Sequence, residues 1–215
     1  MVDELRIGPI VTADGTSRQP LRIDRTGAQA VVDGHARYRE AVSRGNVFVA
    51  SMQAGAAMGG ALTATAVTIT LYNPKGSGVR ASILWGSVTQ TTAPATAGNA
   101  GDFWAVNSPD SASALAAATT AATIKNAAIA TGLPKCSAWT ACTLQAAPLI
   151  IRPLPGGMYW ATAASSCPIC TIDYVDGAIE LPENTAITIQ GVGTANHSGI
   201  AAISWEEIPT FVQTA

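Results

Sequence analysis

The sequence predicts an all-β protein, an antiparallel sandwich or barrel, preceded by a charged N-terminal arm with one short helix. Several short runs alternate apolar and polar residues with a period of two, and Gly, Pro and Asn turns separate them without intervening helices. Only 12% of the chain is charged, yet seven arginines and six acids lie in residues 1–44. We therefore divide the chain into an arm, residues 1–45, and a β body, residues 46–215.

The arm holds the single helix that the sequence predicts. In "DGHARYREAVSRG" (33–45), Asp33 can cap the start, Gly45 can end the helix, and Arg44 in the last turn suits the helix dipole. Because the arm carries so much of the charge, we expect it to supply polar contacts to a partner. The candidate partner-binding residues are Arg6, Arg18, Arg22 and Arg25.

The body begins with a strand in "LTATAVTITLY" (62–72). Alternation predicts one buried face and one solvent-exposed face, the latter bearing Thr68, Thr70 and Tyr72. The buried set is Val67, Ile69 and Leu71. "NPKGSG" (73–78) then predicts a turn. "VRASILW" resumes with a second strand, whose one face would hold Val79, Ala81, Ile83 and Trp85.

Three later segments also predict strands. "PLIIRPLPGG" (148–157) is a short apolar run closed by prolines, which suits an edge strand. "TAITIQ" (185–190) alternates, and "GIAAISWEEIP" (199–209) places Ala201, Ile203 and Trp205 on one face. Residues 108–132 are ambiguous between a β excursion and a helix, and we expect an excursion with a possible helical turn near Ser111–Ala118.

Composition excludes several classes of partner. The net charge of −2 and three lysines leave no basic surface for nucleic acid. No apolar run approaches the ~20 residues of a membrane span, and the first twenty residues do not resemble a secretory signal. A chain with so few charges often covers its surface with partner subunits, since lone domains use charge to stay dispersed. We therefore expect assembly, without nucleic acid or membrane.

Four cysteines form two pairs, Cys136 with Cys142 and Cys167 with Cys170. Four thiolates could hold zinc, and "CPIC" could be a redox motif, although no helix pattern follows it. Disulfides and free thiols are the remaining readings. We expect disulfides or free thiols and no cofactor, with the four-cysteine zinc site as the alternative; if the two pairs meet, bridges could lock that end of the sandwich.

Catalytic patterns are scarce. The two histidines, His35 and His197, have no nucleophile elbow beside them. Four acids cluster in the sequence, Asp173, Asp176, Glu180 and Glu183. A carbohydrate-active enzyme could use Asp173 or Glu180, but such a cluster is more typical of a solvated turn. A sugar site would need exposed aromatic residues, and the candidates, which we expect in the core, are Trp104, Tyr159, Trp160 and Tyr174. We predict that the protein is not an enzyme.

Three stretches carry a family resemblance: "TGAQAVVDGHARYREAVSRGNVF" (26–48), "LYNPKGSG" (71–78) and "GAIELPENTAITIQGVGTANHSGIAAISWEEIP" (177–209). In this order they resemble virion structural proteins of tailed bacteriophages. The resemblance implies a jelly-roll-like β-sandwich that assembles on the particle, often as a trimer. It leads us to expect a virion protein, made in the bacterial cytoplasm, that decorates the capsid as a homotrimer bound to the major capsid protein. A head or tail fibre, or an adaptor that binds another virion protein or a host glycan, is the alternative.

Overall fold

The computed structural model describes residues 38–58, 60–65, 68–92, 98–107, 114–129, 132–156, 158–160, 170–194 and 197–210 of the chain. The chain divides into two compact units, Met1–Arg39 and Glu40–Ala215. The boundary that the sequence predicts between arm and body, after residue 45, stays a prediction. No helix among these residues is long and apolar enough to cross a bilayer.

Within the described ranges, one short helix is followed by fourteen strands. Their bounds are α1 Arg39–Ser43, β1 Val47–Ser51, β2 Ala56–Met58, β3 Ile69–Asn73, β4 Val79–Thr92, β5 Gly98–Asn107, β6 Leu115–Ala121, β7 Thr123–Asn126, β8 Ser137–Leu144, β9 Leu149–Pro153, β10 Met158–Trp160, β11 Cys170–Tyr174, β12 Glu180–Leu181, β13 Thr185–Gly193 and β14 His197–Pro209.

The strands form two antiparallel sheets. The front sheet has the order β11-β4-β14-β1-β7, with β12 paired to β4 and β2 paired to β14. The back sheet has the order β10-β5-β13-β3-β8-β6, with β9 paired to β5. Every hydrogen-bonded pair among the described strands joins strands that are not consecutive in the chain. The predicted all-β antiparallel sandwich is confirmed.

The core lies between the two sheets. Ala201, Ile203 and Trp205 of β14 are fully buried, as their alternation predicts. Phe48 of β1 stacks on Trp205 with ring centroids 5.8 Å apart. Full burial of each large side chain contributes about 1.5–3 kcal/mol, so this central strand is a main source of stability.

The outer face of the back sheet is covered, which the sequence did not predict. Thr68 and Thr70, expected in water, are 5% and 0% exposed. A second small apolar cluster lies on this side of the sheet, and its fully buried members are Ala114, Cys142, Leu144 and Ala186. The Cys142 thiol donates to the Thr70 hydroxyl at 3.3 Å, so the threonine face is a second packed layer and not a solvent face.

A β-bulge corrects the predicted face of β4. Ser204 pairs with Trp85, whereas Trp205 pairs with Ile83, so Leu84 is the extra residue. Its carbonyl accepts from the amides of Val175 and Asp176, both at 2.9 Å. Because an extra residue inverts the alternation beyond it, Trp85 leaves the core face shared by Ala81 and Ile83, and it is only half-buried.

The ambiguous segment is β structure in its described part. Leu115–Ala121 forms β6 and Thr123–Asn126 forms β7. β6 pairs with β8, with Ala118 opposite Cys142, so the predicted helical turn is wrong for Leu115 to Ala118. Alanine favours a helix, but tertiary pairing overrides that weak preference; the start of the predicted turn, 111–113, lies outside the described residues.

The helix ends where the sequence predicts. Gly45 has a φ of 76°, and its amide donates to the Val42 carbonyl at 2.9 Å, which closes the last turn. The helix proper stops at Ser43, so Arg44 lies one residue beyond it and not in its last turn. The predicted cap, Asp33, lies outside the described residues.

Candidate functional site

One edge of the sandwich is held together by a buried carboxylate. Asp173 of β11, in the front sheet, is 4% exposed. Its Oδ2 accepts from the Trp104 indole of the back sheet at 2.9 Å, and its Oδ1 accepts from Arg152 Nη2 of β9 at 2.8 Å. Both oxygens of the carboxylate are therefore bonded across the two sheets.

A glycine makes room for the indole. Gly86 of β4 pairs with Asp173, and a Cβ atom at residue 86 would lie 2.3 Å from Cζ2 of Trp104. The Leu84 bulge turns this glycine towards the back sheet. Because Asp173 and Gly86 face the core, the neighbouring Tyr174 and Trp85 face outwards from the front sheet.

Large aliphatic side chains are exposed on both strands at this edge. On β9, Leu149, Ile150 and Ile151 are 72%, 44% and 46% exposed. On β11, Ile172 is 42% and Tyr174 is 60% exposed. We call these five residues the apolar edge. Three consecutive exposed aliphatic residues are unusual in a soluble monomer, whose larger exposed apolar patches mark interaction sites.

β9 is an edge strand of the back sheet, as predicted. It pairs with β5 alone among the described strands, and a bulge interrupts the pairing after Trp104. Pro148 and Pro153 lie at its two ends and cannot donate a backbone hydrogen bond. The strand therefore offers only its middle, Leu149 to Arg152, for further main-chain pairing.

The aromatic residues that the sequence offers for a sugar site differ in their exposure to solvent. Trp104 is fully buried, as expected for the core, whereas Tyr174 is exposed. The side chains of Tyr159 and Trp160 lie outside the described residues.

Each of the four clustered acids has its own local environment. Asp173 makes the cross-sheet bonds, Asp176 is exposed in a turn with a φ of 52°, and Glu180 makes a surface ion pair with Arg80 at 3.3 Å. Glu183 accepts from the amides of Gly76 and Gly78 at 2.8 and 2.9 Å. These two bonds hold the pKa of the Glu183 carboxyl below its usual value.

The three described cysteines carry free thiols. Cys136 and Cys142 are buried and Cys170 is exposed. Burial raises the pKa of the Cys136 thiol strongly, and the neighbouring Glu207 carboxylate raises it further. Burial also raises the pKa of Cys142, against a lowering by its bond to Thr70. Both buried thiols are therefore poor nucleophiles.

Two cysteines of the alternative zinc site lie in distant strands. Cys142 lies in β8, next to the β6 end of the back sheet, whereas Cys170 lies in β11, at the opposite edge of the sandwich. The described residues contain no group of three or more metal-ligating side chains of His, Cys, Asp or Glu. Cys167 lies outside the described residues, so the full four-cysteine set is not placed.

Two buried acids were missed by the sequence reasoning. Asp102 of β5 lies 3.4 Å from His197 Nε2 of β14, with both side chains almost fully buried between the sheets. Glu207 accepts from the amides of Lys135 and Cys136 at 2.9 and 2.8 Å. Period-two alternation was the available signal, since it places Asp102 on the face of Trp104 and Glu207 on the face of Trp205.

Several predicted residues lie outside the described part of the chain. They are His35 and the four arm arginines, Arg6, Arg18, Arg22 and Arg25. Their proposed role in binding a partner stays a prediction.

The fold and this site define a class of protein, an antiparallel β-sandwich with an exposed apolar edge. Comparisons with protein-family models, with curated proteins and with solved structures gave no match to the chain.

Proposed function

We propose that this chain is a structural subunit of a tailed-bacteriophage particle, a decoration (cement) protein that binds the capsid shell as a homotrimer. Its partner in this proposal is the major capsid protein or another virion protein. The proposal rests on the sequence resemblance of three segments to such virion proteins and on one structural observation. The described parts of those three segments contact each other directly in the fold.

The second and third segments meet at the turn before β4. Glu183 belongs to the stretch 177–209. It accepts hydrogen bonds from the amides of Gly76 and Gly78, which lie in the turn of the stretch 71–78. Asn184 donates its amide to the Asn73 carbonyl at 2.8 Å, which ties the same two segments together. The resemblance therefore falls on residues that fold as a unit.

The first and third segments meet in the centre of the front sheet. Val47 and Phe48, the last residues of the stretch 26–48, pair with Glu206 and Trp205. These contacts join residues that are far apart in the chain. The segments that carry the resemblance therefore form one connected part of the sandwich. This supports carrying the resemblance over to the whole body.

The buried polar groups of the sandwich also suit a structural role. Asp173 is buried between the sheets and bonded through both oxygens to Trp104 and Arg152, which suits a structural role better than contact with a substrate. Glu180 is tied to Arg80 at the surface. The two acids that a carbohydrate-active enzyme could use therefore serve local structure, and we favour the assembly subunit over the enzyme.

Quantitative mass spectrometry of purified particles tests the proposal. We expect the protein in the particle at a copy number set by capsid symmetry, in multiples of three. A copy number of about a dozen or fewer would favour the fibre or adaptor alternative, and absence from the particle would refute a virion role.

The arm provides a second test in the full-length chain. Replacing Arg6, Arg18, Arg22 and Arg25 together by Gln should weaken binding to capsids that lack the protein. The matched control replaces four basic residues of the body by Gln, which removes the same charge there instead: Lys75, Arg80, Lys125 and Lys135. Equal binding by both variants would contradict the role of the arm.

A further inference from the structure

We infer that the apolar edge binds a second copy of this chain. The starting point is its exposed area. The exposed parts of Leu149, Ile150 and Ile151 on β9 and of Ile172 and Tyr174 on β11 together amount to roughly 500 Å². Two such edges would bury on the order of 1,000 Å², the area at which a biological interface becomes credible.

The charge of the edge also fits a second copy. Within β9 and β11 the only charged residues are Arg152 and Asp173, and they pair with each other at 2.8 Å. Two copies can therefore approach edge to edge without like-charge repulsion, whereas an acidic or basic partner would find no complementary group there. An apolar surface whose two charges already pair with each other is compatible with a second copy of itself.

The backbone adds a directional component. The described residues place no strand on the outer side of β9, so its free main-chain groups can pair with a strand from outside. Pro148 and Pro153, which cannot donate a backbone hydrogen bond, confine that pairing to Leu149–Arg152. Side-chain packing supplies most of the contact, and the strand sets its direction.

The geometry of the edge points to a head-to-tail contact. β9 and β11 belong to different sheets and present different residues, and the Arg152–Asp173 ion pair holds them beside each other. A copy can thus set its β9 against β11 of the next copy, and such unlike contacts form a ring when the rotation between copies closes. Only the expectation of three copies rests on the proposed function; the edge contact itself does not.

Light scattering of the purified full-length chain, coupled to size exclusion, tests the inference. At micromolar concentration we expect an oligomer, and we expect Leu149→Glu with Ile172→Glu to lower the mass to one chain. The control is Leu133→Glu, because Leu133 is 89% exposed but lies between β7 and β8, away from the edge. Circular dichroism and thermal melting of each variant establish that it is folded.

Three results of these measurements would overturn the inference. A wild-type monomer at 100 times that concentration, or an oligomer whose mass the double edge variant leaves unchanged, overturns the inference. Dissociation by Leu133→Glu to the same extent also overturns it, because the effect would then follow added charge and not position. If the edge variant fails to fold, concentration-dependent hydrogen exchange of wild-type residues 149–152 decides, with protection expected and its absence refuting the contact.

The edge contact and the virion role can each fail without the other. An edge-dependent oligomer that is absent from purified particles would refute the proposed function and leave this inference standing. A protein found in particles but monomeric in solution, with unprotected edge amides, would do the reverse.

Discussion

The indole Nε1–H of Trp104 donates a 2.9 Å hydrogen bond to Oδ2 of Asp173, so that one buried bond joins the back sheet to the front sheet. A bond to a charged acceptor away from water contributes more than a neutral one, about 1.5–3 kcal/mol. The bond lies beside the apolar edge, and it therefore sets the shape of the surface that we propose as an interface.

Trp104→Phe should lower the free energy of unfolding by about 1.5–3 kcal/mol, because it leaves a buried carboxylate oxygen without its donor. The same change should cost less in an Asp173→Asn background, since a neutral amide depends less on the indole. Urea unfolding of the four proteins measures the coupling. Trp139→Phe is the control. Its indole donates to the neutral hydroxyl of Ser137 at 3.1 Å, so its loss should lower the free energy of unfolding by a smaller amount. Equal costs in the two backgrounds would contradict the prediction.

Gly86→Ala should destabilise the protein by about 1–3 kcal/mol, the usual cost of overpacking a core. Alanine would otherwise be favoured over glycine within a strand, so the sign depends on the 2.3 Å approach to Trp104. Ser87→Ala, one residue along on the outer face, should change stability by less than about 0.5 kcal/mol. A neutral or stabilising Gly86→Ala would show that the indole does not occupy this space.

The pair of Asp102 and His197 should behave as a unit. His197→Phe alone leaves the buried Asp102 side chain facing an apolar ring in place of a polar one, and we expect a loss of about 1–3 kcal/mol. Adding Asp102→Leu replaces that buried polar group by an apolar one and should restore at least half of the loss. Chemical denaturation of both single variants and the double variant provides the measurement. Additive losses would mean that the two side chains contribute independently.

Glu183 should contribute a pH-dependent part of the stability. Its pKa in the folded protein is lowered, first by the Gly76 amide and then by the Gly78 amide. Its contribution is therefore present above the pKa of the unfolded chain and is lost as the pH falls through the lower, folded pKa. The melting temperature of Glu183→Gln should lie below that of the wild type at neutral pH, and the two should converge in acid. Glu180→Gln is the control, and a gap between Glu183→Gln and the wild type that persists unchanged into acid would refute the assignment.

The described thiols should differ in reactivity. In a Cys167→Ser background, one thiol per chain, Cys170, should react promptly with a disulfide reagent in the native protein. Cys136 and Cys142 should react only on unfolding, because burial raises the pKa of each and blocks access. Prompt reaction of three thiols in the folded protein would contradict the described burial.

The sequence by itself determined the fold class and much of the strand pattern. Alternation in β14 placed Ala201, Ile203 and Trp205 on one face, the prolines marked β9 as an edge, and Gly45 marked the end of the helix. These features are local, because each depends on residues within one element and on the period of its backbone.

Only the tertiary structure decided where the polar groups meet. Trp104 and Asp173 are 69 residues apart in the chain, and no pattern within either strand predicts that they bond. Their meeting depends on how the two sheets stack and on the Leu84 bulge, which turns Gly86 inwards and Trp85 outwards. A single inserted residue inverts every later side chain in a strand, and period-two reasoning along the sequence cannot detect it. For the same reason alternation alone could not reveal the second packed layer over Thr70, because whether a sheet face is covered depends on what folds against it.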